Sequence, residues 1–201
     1  MATTAQIETP PVRRPRGRPR DPRVEGVVLG ATRELLLTKG YGGLTIAAVA
    51  EQAGVGKGTI YLRWPDKEAL VIGALREAWK PAAAPDTGTL EGDLRAIMRA
   101  AADGMNGVPG SLFVSLMGEL GVNEGLRSLY DDLVVRPWDA ALRGALDRAV
   151  ARGEVRPGVD ARLASDTFWG GLLSVRVLRG KKVTPKQASG LVEIFLAGVT
   201  R

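Results

Sequence analysis

The chain has 201 residues, no cysteine and no histidine, and its 28 lysines and arginines against 22 acidic residues give a formal net charge of +6. Without these two residue types, disulfides, thiolate or histidine metal sites, thiol nucleophiles and histidine-based catalytic triads are excluded. We therefore expect no metal and no cofactor, and we do not expect an enzyme. No apolar run approaches the roughly 20 residues that span a bilayer, and no secretory signal is visible, so we expect a cytoplasmic protein with no membrane partner.

The positive charge is concentrated at the N-terminus, where residues 1–23 hold six arginines against two acidic residues. Residues 1–22 are rich in Thr, Pro and Arg and poor in apolar side chains, so we expect a basic arm that is disordered until it binds. Residues 15–20 read Pro-Arg-Gly-Arg-Pro-Arg, which resembles an AT-hook. Prolines keep such a segment extended, so Arg16 and Arg18 can enter a narrow, A·T-rich minor groove. The alternative is a basic tail that contacts only phosphates.

Apolar residues that recur near a 3.6-residue period predict an all-α chain without strands or repeats. The predicted N-terminal helices are residues 22–39, 46–53, 57–64 and 67–80. A linker at residues 81–88 then separates a domain over 23–80 from a second domain over 89–201. In the second domain, helices are predicted at about 89–106, 110–121, 124–152, 160–179 and 185–200. Pro137 either kinks the third of these or lies in the first turn of a separate helix.

Residues 45–61 have the spacing of a helix-turn-helix. Thr45 can cap the first helix of the pair, and Gly54 provides the sharp turn that follows it. Ala50 is small enough to let the two helices cross closely, and Ile60 is placed to fill the corner between them. In such a unit the second helix enters the major groove of DNA.

The candidate DNA-binding residues lie on and beside that second helix. Lys57, Thr59 and Tyr61 can reach bases or phosphates, and we include Gly58, which lies among them. Thr45 and Lys67 lie at the starts of neighbouring helices, where hydroxyl, backbone N–H and ammonium groups can bind phosphate. The alternative is that Lys57 and Thr59 are ordinary solvated residues and Tyr61 is an edge of the core.

Residues 24–80 resemble the DNA-binding domain of the tetracycline-repressor (TetR) family of bacterial transcription regulators. The resemblance is carried by Gly40-Tyr41, Leu44-Thr45, Ala50, Ala53-Gly54-Val55, Lys57 to Tyr61 and Trp64 to Leu70. It implies an all-helical homodimer whose variable C-terminal domain binds a small effector. Gly56 departs from the pattern, because family members commonly carry Ser or another helix-starting residue there, and this weakens the cap of the recognition helix.

The C-terminal half is expected to supply dimerisation and ligand binding. Its last two helices carry apolar stripes, formed by Leu163, Thr167, Phe168, Gly171, Leu172 and Val175 and by Ala188, Leu191, Val192, Phe195 and Val199. The resemblance implies that these helices form an intersubunit four-helix bundle; the alternative is that the stripes pack only within one subunit. The candidate pocket residues have flexible thioethers or aromatic rings, which suit an apolar ligand but also ordinary core packing: Met98, Met105, Phe113, Met117, Tyr130, Trp138 and Trp169.

The sequence thus predicts a transcription regulator that binds a double-stranded DNA operator as a homodimer and is released from it by a small-molecule effector. Two recognition helices would contact half-sites about 10 base pairs, or a multiple of that, apart. One alternative is a constitutive architectural DNA-binding protein without an effector. The other is an enzyme built on the C-terminal half, which the missing histidine and cysteine disfavour.

Overall fold

The computed structural model describes residues 22–78 and 84–200, and in these ranges helices make up nearly all of the regular structure. A lone bridge between Val155 and Thr200 is the exception. The predicted all-α class is therefore confirmed. The helices are α1 (Pro22–Gly43), α2 (Ile46–Ala53), α3 (Lys57–Tyr61), α4 (Lys67–Ala78), α5 (Leu90–Asn106), α6 (Val108–Val122), α7 (Glu124–Tyr130), α8 (Arg136–Ala151), α9 (Ala161–Leu173) and α10 (Pro185–Val199).

The N-terminal helices differ from their predicted bounds at two places. α1 is interrupted at Gly40 (φ 66°, ψ 178°), so its regular part ends at the predicted glycine and a separate helical turn follows. α3 ends at Tyr61, three residues earlier than predicted. Because a residue that precedes proline avoids the helical region, Pro65 accounts for the exclusion of Trp64 from this helix.

Pro137 lies in the first turn of α8, which follows α7 and a π-helical turn without a break in the helical backbone. A π-helical turn at Asp131–Val135 joins α7 to α8. In a regular α-helix the proline ring would clash with the carbonyl four residues earlier. The residues directly before α8 form a wider π-helical turn instead of a regular α-helical one. A second π-helical turn, Ser174–Leu178, ends α9.

The helices pack around one continuous apolar core that runs from α1 to α10. α1 packs against α2, α4 and α6, and α4 also packs against α7. α5 lies between α6, α8 and α10, and α9 contacts α8 and α10. None of the described helices combines the length and the apolar character that crossing a bilayer requires.

The described part of the predicted linker, residues 84–88, is held against α5 and α8. Asp93 is fully buried and accepts hydrogen bonds from the Thr87 N–H (2.7 Å), the Thr87 hydroxyl (2.8 Å) and Arg148 Nη2 (2.9 Å). Arg148 also donates to the Pro85 carbonyl at 2.6 Å. Burial raises the pKa of the Asp93 carboxyl, but the Thr87 and Arg148 donors outweigh it and hold the pKa below its ordinary value. Residues 81–83 lie outside the described residues.

Six of the eleven residues in the two C-terminal stripes are buried within the subunit. The buried members are Phe168, Leu172, Val175, Val192, Phe195 and Val199. Gly171 faces Leu191 so closely that an added Cβ would lie 2.3 Å from Leu191 Cδ2, which fixes the close approach of α9 and α10. The stripe members Leu163 and Thr167 are exposed, as are Leu173 and Ile194 on the same two helices.

Gly54 tests the geometry of the corner between α2 and α3. Its backbone is left-handed (φ 64°, ψ 32°), and no atom lies within 4 Å of the position of an added Cβ. Gly54→Ala therefore introduces backbone strain without a clash and should lower the free energy of unfolding by about 1 kcal/mol. Gly58→Ala, in helical α3 with the same open space, is the control and should raise it by up to about 1 kcal/mol. Denaturant unfolding measures both, and equal shifts of the same sign would contradict the assigned geometry.

Candidate nucleic-acid interface

The corner between α2 and α3 is built from short-range contacts. Thr45 caps α2, because its hydroxyl oxygen accepts the Ala48 N–H at 3.1 Å. The chain then turns at Gly54, and the Val55 N–H donates to the Ala50 carbonyl at 3.0 Å. Ile60 is fully buried in the corner. The predicted helix-turn-helix geometry is therefore present, and the opposite face of α3 is left in solvent.

The exposed face of α3 presents most of the predicted DNA-binding side chains. Lys57 and Gly58 are exposed, Tyr61 is 52% exposed, and Thr59 is half-buried. Gly56 occupies the N-cap position and supplies no side-chain hydrogen bond, in agreement with the weak cap expected from the sequence.

Leu62, directly after α3, is an exposed residue outside the predicted DNA-binding set. Its side chain is 85% exposed, beside Tyr61. An apolar group at this place can pack against the methyl group of thymine. Its position two residues after the inward-facing Ile60 was the signal available in the sequence.

Lys67, in the first turn of α4, is positioned by Tyr41. Its ammonium lies 3.9 Å from the centroid of the Tyr41 ring, which is a cation–π contact. The Tyr41 hydroxyl in turn donates to Glu68 Oε1 at 2.9 Å. The predicted phosphate-binding lysine is thus held by a ring from the end of α1.

Glu68 also connects this turn to the C-terminal half. Asn123 Nδ2 donates to the same oxygen, Glu68 Oε1, at 3.2 Å. The other side-chain atom of Asn123, Oδ1, accepts the Leu126 N–H at 2.9 Å and so caps α7. A hydrogen bond from its own backbone N–H, and then the Tyr41 hydroxyl, hold the pKa of Glu68 below its usual value. The carboxylate is therefore charged near neutral pH and accepts hydrogen bonds from both Tyr41 and Asn123.

The opposite end of α7 borders a cavity of about 280 Å³ among α5, α7, α8 and α9, which we call the α7 cavity. Four of the candidate pocket residues line it: Met105, Tyr130, Trp138 and Trp169. The π-helical turn after α7 contributes Val134, and the second π turn begins directly after the lining residue Leu173. π-helical turns occur frequently at functional sites.

The other candidate pocket residues lie elsewhere. Phe113 is buried and stacks on Tyr130 with 5.5 Å between ring centroids, so it supports the cavity wall from behind. Met98 lines a separate, more polar recess between α5 and α10. Met117 is partly exposed on α6 and does not line the α7 cavity. Arg16 and Arg18, predicted to bind the minor groove, lie outside the described residues.

Comparisons with known proteins agree with this architecture. The family description "Bacterial regulatory proteins, tetR family" matches residues 28–74, and "Tetracyclin repressor-like, C-terminal domain" matches residues 84–195. YdeS of Bacillus subtilis (strain 168), an uncharacterised helix-turn-helix-type transcriptional regulator, is 29% identical over 185 residues, which are 92% of this chain and 93% of YdeS.

Solved structures show the same fold. The crystal structure of the TetR family transcription regulator SCO0332 has 33% identity and a TM-score of 0.66, covering 89% of this chain and 100% of its own. The transcriptional regulator FadR from Bacillus subtilis, solved in complex with stearoyl-CoA, has 22% identity and a TM-score of 0.70, covering 86% and 98%.

Lys57 and Tyr61 provide the test of the interface. After selection of a preferred duplex from a random pool, Lys57→Ala and Tyr61→Ala should each weaken binding by roughly 5- to 150-fold, the usual range for a lost contact at a protein–DNA interface. Lys186→Ala removes the same charge from an exposed position on α10 and should change affinity less than twofold. Fluorescence anisotropy measures all three, and unchanged affinity of both α3 variants would refute the assignment.

Proposed function

This chain belongs to the TetR family of helix-turn-helix transcription regulators, and from that premise we propose that it is a homodimeric repressor that leaves its operator when a small molecule occupies the α7 cavity. Sequence-specific DNA binding and regulation of transcription follow from the family. The observation that carries the proposal is the placement of α7. Its N-terminal cap, Asn123, is bonded to Glu68, and its last residue, Tyr130, lines the cavity.

α7 is short enough to act as one rigid element. Its seven residues span about 10 Å at roughly 1.5 Å per residue. A ligand that displaces Tyr130 therefore displaces Asn123 as well, and with it the contact to Glu68. Glu68 and Lys67 are neighbours in the first turn of α4. Loss of the Glu68 contact therefore lets this turn, and Lys67 with it, shift relative to DNA. A coupling of about 1–3 kcal/mol changes operator affinity by roughly 5- to 150-fold.

Asn123 allows this path to be cut without unfolding α7. Asn123→Ser retains an N-cap residue but is too short to donate to Glu68, and Asn123→Asp retains the cap while placing a carboxylate against the Glu68 carboxylate. Operator affinity should fall in the order wild type, Asn123→Ser, Asn123→Asp, with the serine variant weaker by up to about tenfold.

The control is Glu124→Ala, which changes the neighbouring, exposed residue and should leave operator affinity unchanged. Circular dichroism confirms that each variant is folded. Wild-type operator affinity in both folded Asn123 variants would overturn the proposed path.

The exposed face of α9 and α10 is the proposed dimer surface. Leu163 is 66% and Ile194 is 74% exposed. On α10, Gly190 and Ala197 lie four and three residues from Ile194, and on α9 Gly170 lies seven residues from Leu163. Small side chains at these positions let helices approach closely. Four such helices, two from each subunit, can bury this face in a self-complementary interface about a twofold axis.

Ile194→Arg tests the dimer surface. A charged side chain at the centre of an apolar interface remains without a partner there, so the variant should be largely monomeric at micromolar concentration and should bind a palindromic operator at least tenfold more weakly. Val27→Arg, on the exposed surface of α1, should remain dimeric. Light scattering after size-exclusion chromatography gives the masses, and a dimeric Ile194→Arg variant would contradict the assignment.

The arm at residues 1–22 is proposed to add minor-groove contacts beside the major-groove contacts of α3. The support is the Arg-Gly-Arg-Pro sequence at residues 16–19 together with the concentration of arginine there. Arg16→Ala combined with Arg18→Ala should reduce affinity more for an operator flanked by A·T pairs than for one flanked by G·C pairs, because the A·T minor groove is narrower and more negative. An equal loss on both operators would instead assign the arm to phosphate contacts alone.

A further inference from the structure

We propose that the α7 cavity binds an organic cation with an apolar or aromatic body, such as an amine or a quaternary ammonium compound. This inference rests on the proposed function, since it names the chemical class of the effector. It depends on three features of the cavity: unneutralised carboxylates, an oriented carboxylate oxygen, and aromatic walls.

The charged groups that line the α7 cavity are both acidic. Asp139 from α8 and Asp166 from α9 contribute carboxylates, and no lysine or arginine is among the lining residues. Within residues 22–78 and 84–200, neither carboxylate forms an ion pair with a basic side chain. Their charges therefore act on whatever enters the cavity, favouring a cation and repelling an anion.

Asp139 is fixed in one orientation by neutral donors. Its Oδ1 accepts the Ser165 hydroxyl at 2.7 Å and the Trp169 indole N–H at 2.9 Å. These two donors orient the carboxylate but bring no positive charge to it. Both bonds use Oδ1, so Oδ2 is the atom left to contact a ligand cation.

Aromatic rings form the walls around these carboxylates. Trp138 and Trp169 are nearly perpendicular, with an interplanar angle of 85° and 5.8 Å between centroids, and Tyr130 lines the cavity beside them. Tryptophan and tyrosine faces attract cations, tryptophan most strongly. The remaining lining is mainly apolar, as Met105 and Leu172 illustrate. The volume is at the lower end of the roughly 300–1,000 Å³ typical of small-molecule pockets, so the ligand is compact.

A set of similarly sized probes tests the charge preference directly. The full chain is titrated calorimetrically, without DNA, with phenyltrimethylammonium, with its neutral isostere tert-butylbenzene and with the anion phenylacetate. The cation should bind at least tenfold more tightly than the neutral isostere, and phenylacetate should bind most weakly. Equal or tighter binding of the neutral or anionic probe, or no binding of the cation, would overturn the proposal.

Substitutions then assign the preference to the carboxylates. Asp139→Asn keeps an oxygen that can accept from Ser165 and Trp169 but removes the charge, and Asp166→Asn removes the other charge from an exposed residue. Each should weaken phenyltrimethylammonium binding about tenfold and the pair by more, while binding of tert-butylbenzene stays unchanged. Asp147→Asn, at an exposed position on α8 that does not line the cavity, is the control. Unchanged cation affinity in the double variant would overturn the assignment.

The titrations and the operator assay separate the two proposals. Because no DNA is present in the titrations, the charge preference can hold even if no compound releases the operator; that result would count against the proposed function alone. Operator release by neutral or anionic compounds but not by cations would support ligand-controlled repression and overturn the cation assignment.

Discussion

A single carboxylate oxygen, Glu68 Oε1, accepts hydrogen bonds from two parts of the chain that are far apart in sequence. Tyr41 donates from the end of α1, and Asn123 donates from the junction of α6 and α7. Because the Tyr41 ring also lies under the Lys67 ammonium, the first turn of α4 and the start of α7 share one set of contacts. Displacement of Asn123 from Glu68 therefore alters the environment of a residue proposed to bind phosphate.

The recognition helix itself has little intrinsic stability. α3 has five residues and follows an N-cap glycine that supplies no side-chain hydrogen bond. Isolated helices shorter than about 12 residues are marginal in water. Its orientation is therefore set by residues that face inward, above all Ile60, and by the left-handed turn at Gly54. The positions of the exposed Lys57 and Tyr61 side chains therefore depend on the buried corner between α2 and α3, and α2 packs on α1.

The same contrast between local and distant contacts explains what the sequence could predict. The cap at Thr45, the turn at Gly54 and the buried corner lie within one short stretch, so spacing and residue type were sufficient. The bond between Glu68 and Asn123 joins residues 55 positions apart, and no local pattern marks it. Likewise, apolar spacing placed side chains on helix faces but could not distinguish a cavity wall from the core, so Met117 was grouped with the residues that line the α7 cavity. The buried stripes of α9 and α10 were ambiguous for the same reason.

The magnitudes of these contacts bear on how much movement the proposed switch requires. A hydrogen bond to a charged group contributes about 1.5–3 kcal/mol, and allosteric coupling between two sites is typically about 1–3 kcal/mol. Loss of the contact between Asn123 and Glu68 is therefore sufficient in size to account for a regulatory response, and the apolar core need not be rearranged. Coupling of this kind is reciprocal. Under the proposed switch, an operator that stabilises the position of Lys67 also stabilises the Glu68 contact. Bound DNA would then lower the affinity of the α7 cavity for a ligand by the same factor by which that ligand lowers the affinity for DNA.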